Sequence, residues 1–256
     1  MTLQLADFVG LGATGLAAAV LVFLRVGALV AMVPLFGEQV LPARVKLAVA
    51  LALTAVVAPA ITPVPPQGPG GWLAAGASEV VAGLALGFGA RLFVMVLLMT
   101  AEIAAQATSL AQMAGGMAAE PQPAIGNVLM LAGLALAAAA GLHVRIAALL
   151  ILSYDAIPPG RLAAAADLSR WSLERTGAGF ALAVSLAAPF LGAALLYNLA
   201  LGVLSRAMPQ LMISLIGAPA LTLGALALLA LAAGPALGLW QAAFAGFLAA
   251  PFGGGP

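Results

Sequence analysis

Unbroken apolar runs dominate the sequence, and their length limits what the chain can become. A helix needs about 20 apolar residues to cross a bilayer core. Residues 8–33 form one run, which stops at Pro34. Residues 47–61 form a shorter one, ended by Pro59, Pro63, Pro65, Pro66 and Pro69, because proline lacks the backbone donor and restricts the residue before it. A third run, 80–113, exceeds one span and so tilts or projects beyond the membrane. A loop with Gly115, Gly116, Pro121, Pro123 and Gly126 separates it from a fourth, 128–152. Pro158, Pro159 and Gly160 open the most polar stretch, with Arg161, Asp167, Arg170, Glu174 and Arg175. A fifth run covers 177–204. A sixth, 211–250, is too long for one span, and Gly217, Pro219, Gly234 and Pro235 mark places for it to bend or split.

Charge supports this reading. Only 7% of the residues are charged and 64% are hydrophobic, whereas a soluble domain carries about 25% charged residues. The predicted fold class is therefore all-α: a polytopic membrane protein of about six long apolar helices, in one helical membrane domain over 1–256. The first ten residues hold Asp7 and no Lys or Arg, so the N-terminus does not read as a cleaved signal peptide. The alanine-rich stretches read as helix contacts, since small side chains let membrane helices approach closely. With no cysteine there is no disulfide or thiolate chemistry, and a net charge of +1 supplies no general attraction for nucleic acid. The positive-inside rule gives nearly balanced votes. Arg44, Lys46 and Arg206 stand against Arg145, Arg161, Arg170 and Arg175 if every run crosses.

Polar residues inside apolar runs carry the remaining information. Arg25 lies within the first run, where an arginine costs about 2.5–3.5 kcal/mol on insertion scales. Such a charge either snorkels to the nearer end or pairs with a carboxylate on another helix or subunit. Glu79, Arg91 and Glu102 punctuate the third helix. Arg91 and Glu102 share a face but stand too far apart to touch, so they either pair separately or begin a polar stripe that Gln106, Thr108, Ser109 and Gln112 continue. Gly83 and Gly87 form a G-x-x-x-G pattern that permits close helix packing. Met113 and Met117 flank Gly115 and Gly116 and read either as ordinary packing or as a deformable seal. His143 is the one histidine and has no ligand-forming neighbours at metal spacing. No phosphate loop, zinc-protease motif or nucleophile elbow occurs. No enzyme activity, cofactor or metal is therefore expected.

The ordered blocks resemble a known family. Residues 25–29 (RVGAL), 34–37 (PLFG) and 41–47 (LPARVKL) are similar to the opening of the FliR family. The proline-rich loop and the stretch from Glu79 through Gly83 and Gly87 follow. Residues 198–202 (NLALG), 206–211 (RAMPQL) and 216–219 (IGAP) complete the set. The family supplies flagellar export-gate subunits and is related to the SctT proteins of type III secretion. The resemblance implies a channel assembled with FliP-like and FliQ-like subunits, associated with FlhB-like and FlhA-like proteins, in the inner membrane at the flagellar basal body. Unfolded proteins would pass through it. It also implies a pore plug in residues 112–126, carried by Met113, Gly115, Gly116 and Met117. Arg206 and Gln210 would organise the turn before the last apolar run and, with Arg25, Arg91 and Glu102, serve assembly. A secondary transporter for a small solute and an injectisome subunit are the competing readings.

Overall fold

The computed structural model describes residues 2–37, 41–61, 66–113, 123–207 and 213–253. Among them are seven α-helices, one 3-10 turn and no strand. Helix α1 is Thr2–Met32 and α2 is Ala43–Val57, continued by the turn Ala58–Ala60. Then follow α3, Gly68–Met113; α4, Pro123–Ala139; α5, Leu142–Ala156; α6, Ala165–Ala207; and α7, Ile213–Ala249. This is an all-α, polytopic membrane protein.

Over the described residues each of the six apolar runs is mainly helical, with different boundaries. α3 begins at Gly68, twelve residues before the expected start at residue 80. Pro69, read as part of the loop, instead occupies its first turn, where a missing N–H costs nothing. α6 begins at Ala165, so Asp167, Arg170, Glu174 and Arg175, in the polar stretch before the fifth apolar run, are helical. The fourth run is two helices, α4 and α5, bent by 72° at a left-handed Gly141 (φ 76°). α7 runs continuously through Pro219, Gly234 and Pro235. In an apolar medium a continuous helix keeps its backbone groups paired, and breaking it would expose several to replace the one bond each proline removes. The span count changes too. Four helices of the described residues are long and apolar enough to cross a membrane, or five if α4 and α5 form one bent span. In α1 the described apolar stretch, Ala19–Met32, is a shorter one.

The chain packs as two units, each assembled from separate stretches. The first comprises Met1–Leu92, Ala138–Arg175 and Phe244–Pro256. In it Val22, Val26 and Leu29 of α1 and Val33 just after it are all buried, at helical spacing. Ala82 and Leu86 of α3 are buried in the same unit, as are Ile146, Leu149 and Leu150 of α5. The second unit comprises Phe93–Ala137 and Thr176–Ala243. Trp240, fully buried, anchors it and donates from its indole N–H to the Phe93 carbonyl at 2.7 Å. Gly133 of α4 faces Leu97 and Trp240 so closely that any Cβ there would collide with Leu97. The Thr100 hydroxyl donates to the Val96 carbonyl at 2.7 Å and lies 3.3 Å from the Ala183 carbonyl of α6.

Candidate functional site

Within the first unit, the most polar point is also among the most deeply buried. Arg25 of α1 and Glu79 of α3 are both fully buried and form an ion pair. The Arg25 Nε donates to Glu79 Oε2 at 2.8 Å and Nη2 donates to Oε1 at 3.3 Å, a two-pronged match of guanidinium and carboxylate. Nη1 donates to Ser153 Oγ at 3.0 Å, and Nη2 also donates to the Ile157 carbonyl at 2.9 Å. Glu79 accepts further bonds from the Tyr154 hydroxyl and the Gly160 N–H, both at 3.1 Å. The Tyr154 ring covers the guanidinium at 3.7 Å, close enough for a cation–π contact.

Local structure explains how these partners arrive together. α5 ends at Ala156, so the Ile157 carbonyl is free to turn towards Arg25. Pro158 and Pro159 prevent the helix from continuing. Gly160 has φ 74°, a conformation that costs glycine nothing, and this aims its N–H at Glu79. The approach of α1 and α3 depends on small residues. A Cβ at Gly83 would strike the Arg25 carbonyl and stand 2.8 Å from Ala28 Cβ, and one at Gly87 would stand 2.8 Å from Met32 Cβ. The two glycines therefore form a contact stripe about one and two turns from Glu79.

This arrangement is a clamp, with both charges and their neighbours joined by hydrogen bonds. No buried side-chain polar atom among the described residues lacks a hydrogen bond, and no group of His, Asp and Glu there could hold a metal. A buried pair of this kind adds little net stability, but losing one partner strands the other charge. It fixes the register of α1, α3 and α5 against one another.

A model of bacterial export proteins, family 1, matches residues 16–247, a stretch holding the whole clamp and both glycines. The chain belongs to the FliR family of bacterial export proteins. It is 35% identical over 219 residues to the flagellar biosynthetic protein FliR of Caulobacter vibrioides, covering 83% of this chain and 87% of that one.

The other expected residues of this FliR-family chain are scattered. Arg91 is half-buried in the first unit, and Glu102 is exposed on α3 in the second. Arg206 is exposed in the last turn of α6. Met113 is the last residue of α3, while Gly115, Gly116, Met117 and Gln210 lie outside the described residues. Ser153, Tyr154 and Ile157 escaped the sequence reading, and Gly160 was read there only as a break. Their one local signal is the Pro158–Pro159–Gly160 stop after an amphipathic Tyr–Asp pair.

Proposed function

We propose that the protein is a subunit of the flagellar protein-export gate, a structural and channel component rather than an enzyme. It assembles with FliP-like and FliQ-like subunits and works beside FlhB-like and FlhA-like ones, in the inner membrane at the flagellar basal body. Unfolded flagellar proteins pass through the channel. The observation that carries this reading is the family match over residues 16–247, which takes in α2 to α6 whole.

The helix surfaces support it. Only 11% of the apolar window of α7 and 28% of that of α6 are buried within the chain, against 61% for α3. α6 exposes Gly177, Ala178, Ala181, Ala188 and Gly192. Small residues let neighbouring backbones approach, which suits subunit packing better than contact with lipid. Glu102 and Gln106, exposed four residues apart on α3, suit the polar lining of a passage. Residues 112–126, with Met113, Gly115, Gly116 and Met117, are read as the seal of the resting channel.

Deleting the gene in its own host tests the reading. Flagellar filament and hook proteins should remain inside the cell at normal levels and vanish from the medium, and a plasmid copy should restore their export. Continued export in the deletion strain would rule the reading out.

A further inference from the structure

We propose that the turn between α1 and α2 is a strained latch, with Leu35 as its spring and Lys46 as its catch, and that the N-terminal half of α2 moves between a held and a released position. The two motifs involved, residues 34–37 (PLFG) and 41–47 (LPARVKL), are separate blocks of sequence. The structure joins them, because Lys46 Nζ donates to the Gly37 carbonyl at 3.2 Å. Both motifs belong to the first unit.

The α1 side of the latch is rigid. The Arg25 clamp fixes α1 about two turns before its end at Met32. Val33 and Pro34 are buried, and the Gly37 N–H donates back to the Val33 carbonyl at 2.7 Å. A Cβ on Gly37 would stand 2.8 Å from the Met32 carbonyl carbon and from the Val33 oxygen, and 2.9 Å from the Ala31 oxygen. Those are backbone atoms and cannot swing aside. In this tight return Leu35 has φ 73°, the one positive φ outside glycine among the described residues. A leucine Cβ there crowds the following carbonyl, and such strain persists only where surrounding contacts impose it.

The α2 side is held lightly. Every buried residue of α2 (Ala50, Leu53, Thr54 and Val57) lies from its midpoint onward. None of residues 43–49 is buried, and Pro42 gives the helix no side-chain cap. Among the described residues, the Lys46 bond is the one side-chain hydrogen bond from that half of α2 to the rest of the protein. No carboxylate there stands within ion-pair range of its ammonium. A charge-assisted bond to a neutral carbonyl is similar in size to the strain of one left-handed residue. Catch and spring therefore nearly balance, the condition for two populated positions. Release relaxes Leu35 and frees residues 43–49, while Leu53 and Val57 keep the far end of α2 seated.

The chain has no cysteine, so two can be introduced as its sole labelling sites, Ala31→Cys on α1 and Ala48→Cys on α2, both at exposed positions. Pulsed electron paramagnetic resonance between nitroxides at these sites tests the latch on the full chain, isolated with the subunits that accompany it. The labelled chain should show two distance populations. Leu35→Gly keeps the turn and removes the strain. Its ratio of held to released should rise about five-fold, the strain of a left-handed leucine less the extra freedom of a glycine. Lys46→Met keeps an apolar stem and removes the catch, so the ratio should fall about ten-fold, and Lys46→Arg should restore much of it. A single narrow distance before either change, or an unchanged ratio in Leu35→Gly, would overturn the proposal. So would a shift in the same direction in both variants. If Lys46→Met fails to assemble, Leu35→Gly decides alone.

Discussion

Arg25 makes four hydrogen bonds and lies under an aromatic ring in a place closed to solvent. Removing either charge leaves the other buried and unpaired, a loss of about 3–5 kcal/mol. Arg25→Leu and Glu79→Leu should therefore each lower the melting temperature sharply in detergent. The double variant should lose much less than the sum of the two, because neither charge is then stranded. Additive losses would mean that the pair is not coupled. Tyr154→Phe keeps the stacked ring and removes one donor to the carboxylate, so its cost should be about 1.5–3 kcal/mol. That Arg25 would either snorkel or pair with a carboxylate was legible in the sequence, because an arginine in an apolar run has few other fates; which of the two it does was not. Its surroundings were not legible. Ser153 and Ile157 lie 128 and 132 positions away, and no local pattern encodes a contact at that separation.

Helix contacts turn on single atoms at Gly83 and Gly87. Gly83→Ala must push α1 and α3 apart or bend one of them, at about 1–3 kcal/mol. Gly27→Ala places the same methyl group on α1 where nothing lies within 4 Å. It should be neutral or stabilise by up to about 1 kcal/mol. Thermal melts of the two variants side by side check this, and equal losses would contradict the packing described. The G-x-x-x-G spacing was visible in the sequence, but the helix it faces was not. The apolar runs likewise marked where helices form, and less well where they end. Pro69 read as part of a loop, and four charges at 167–175 as a polar stretch between apolar runs, yet both places are helical. Gly141 reads as part of a helix, yet its positive φ ends one. Arg206 sits in the last turn of α6, where a cation suits the exposed carbonyls. Arg206→Ala should reduce the yield of assembled complex, measured by co-purification, and an unchanged yield would remove its assembly role.

For the whole molecule, the central claim is membership of a gate that is complete only in company. Part of that claim is the seal read in residues 112–126. Deleting residues 113–119 should leave assembly intact and let small ions leak, seen as conductance across a planar bilayer. A tight membrane with normal assembly would make the segment a linker. The most direct measurement compares the full chain expressed alone with the chain expressed beside its FliP-like and FliQ-like partners, each extracted in mild detergent and run by size exclusion with protease digestion. Alone it should aggregate or be degraded, and with partners it should elute as one protease-resistant complex containing all three proteins. A monodisperse, protease-resistant monomer that ignores both partners would contradict the account.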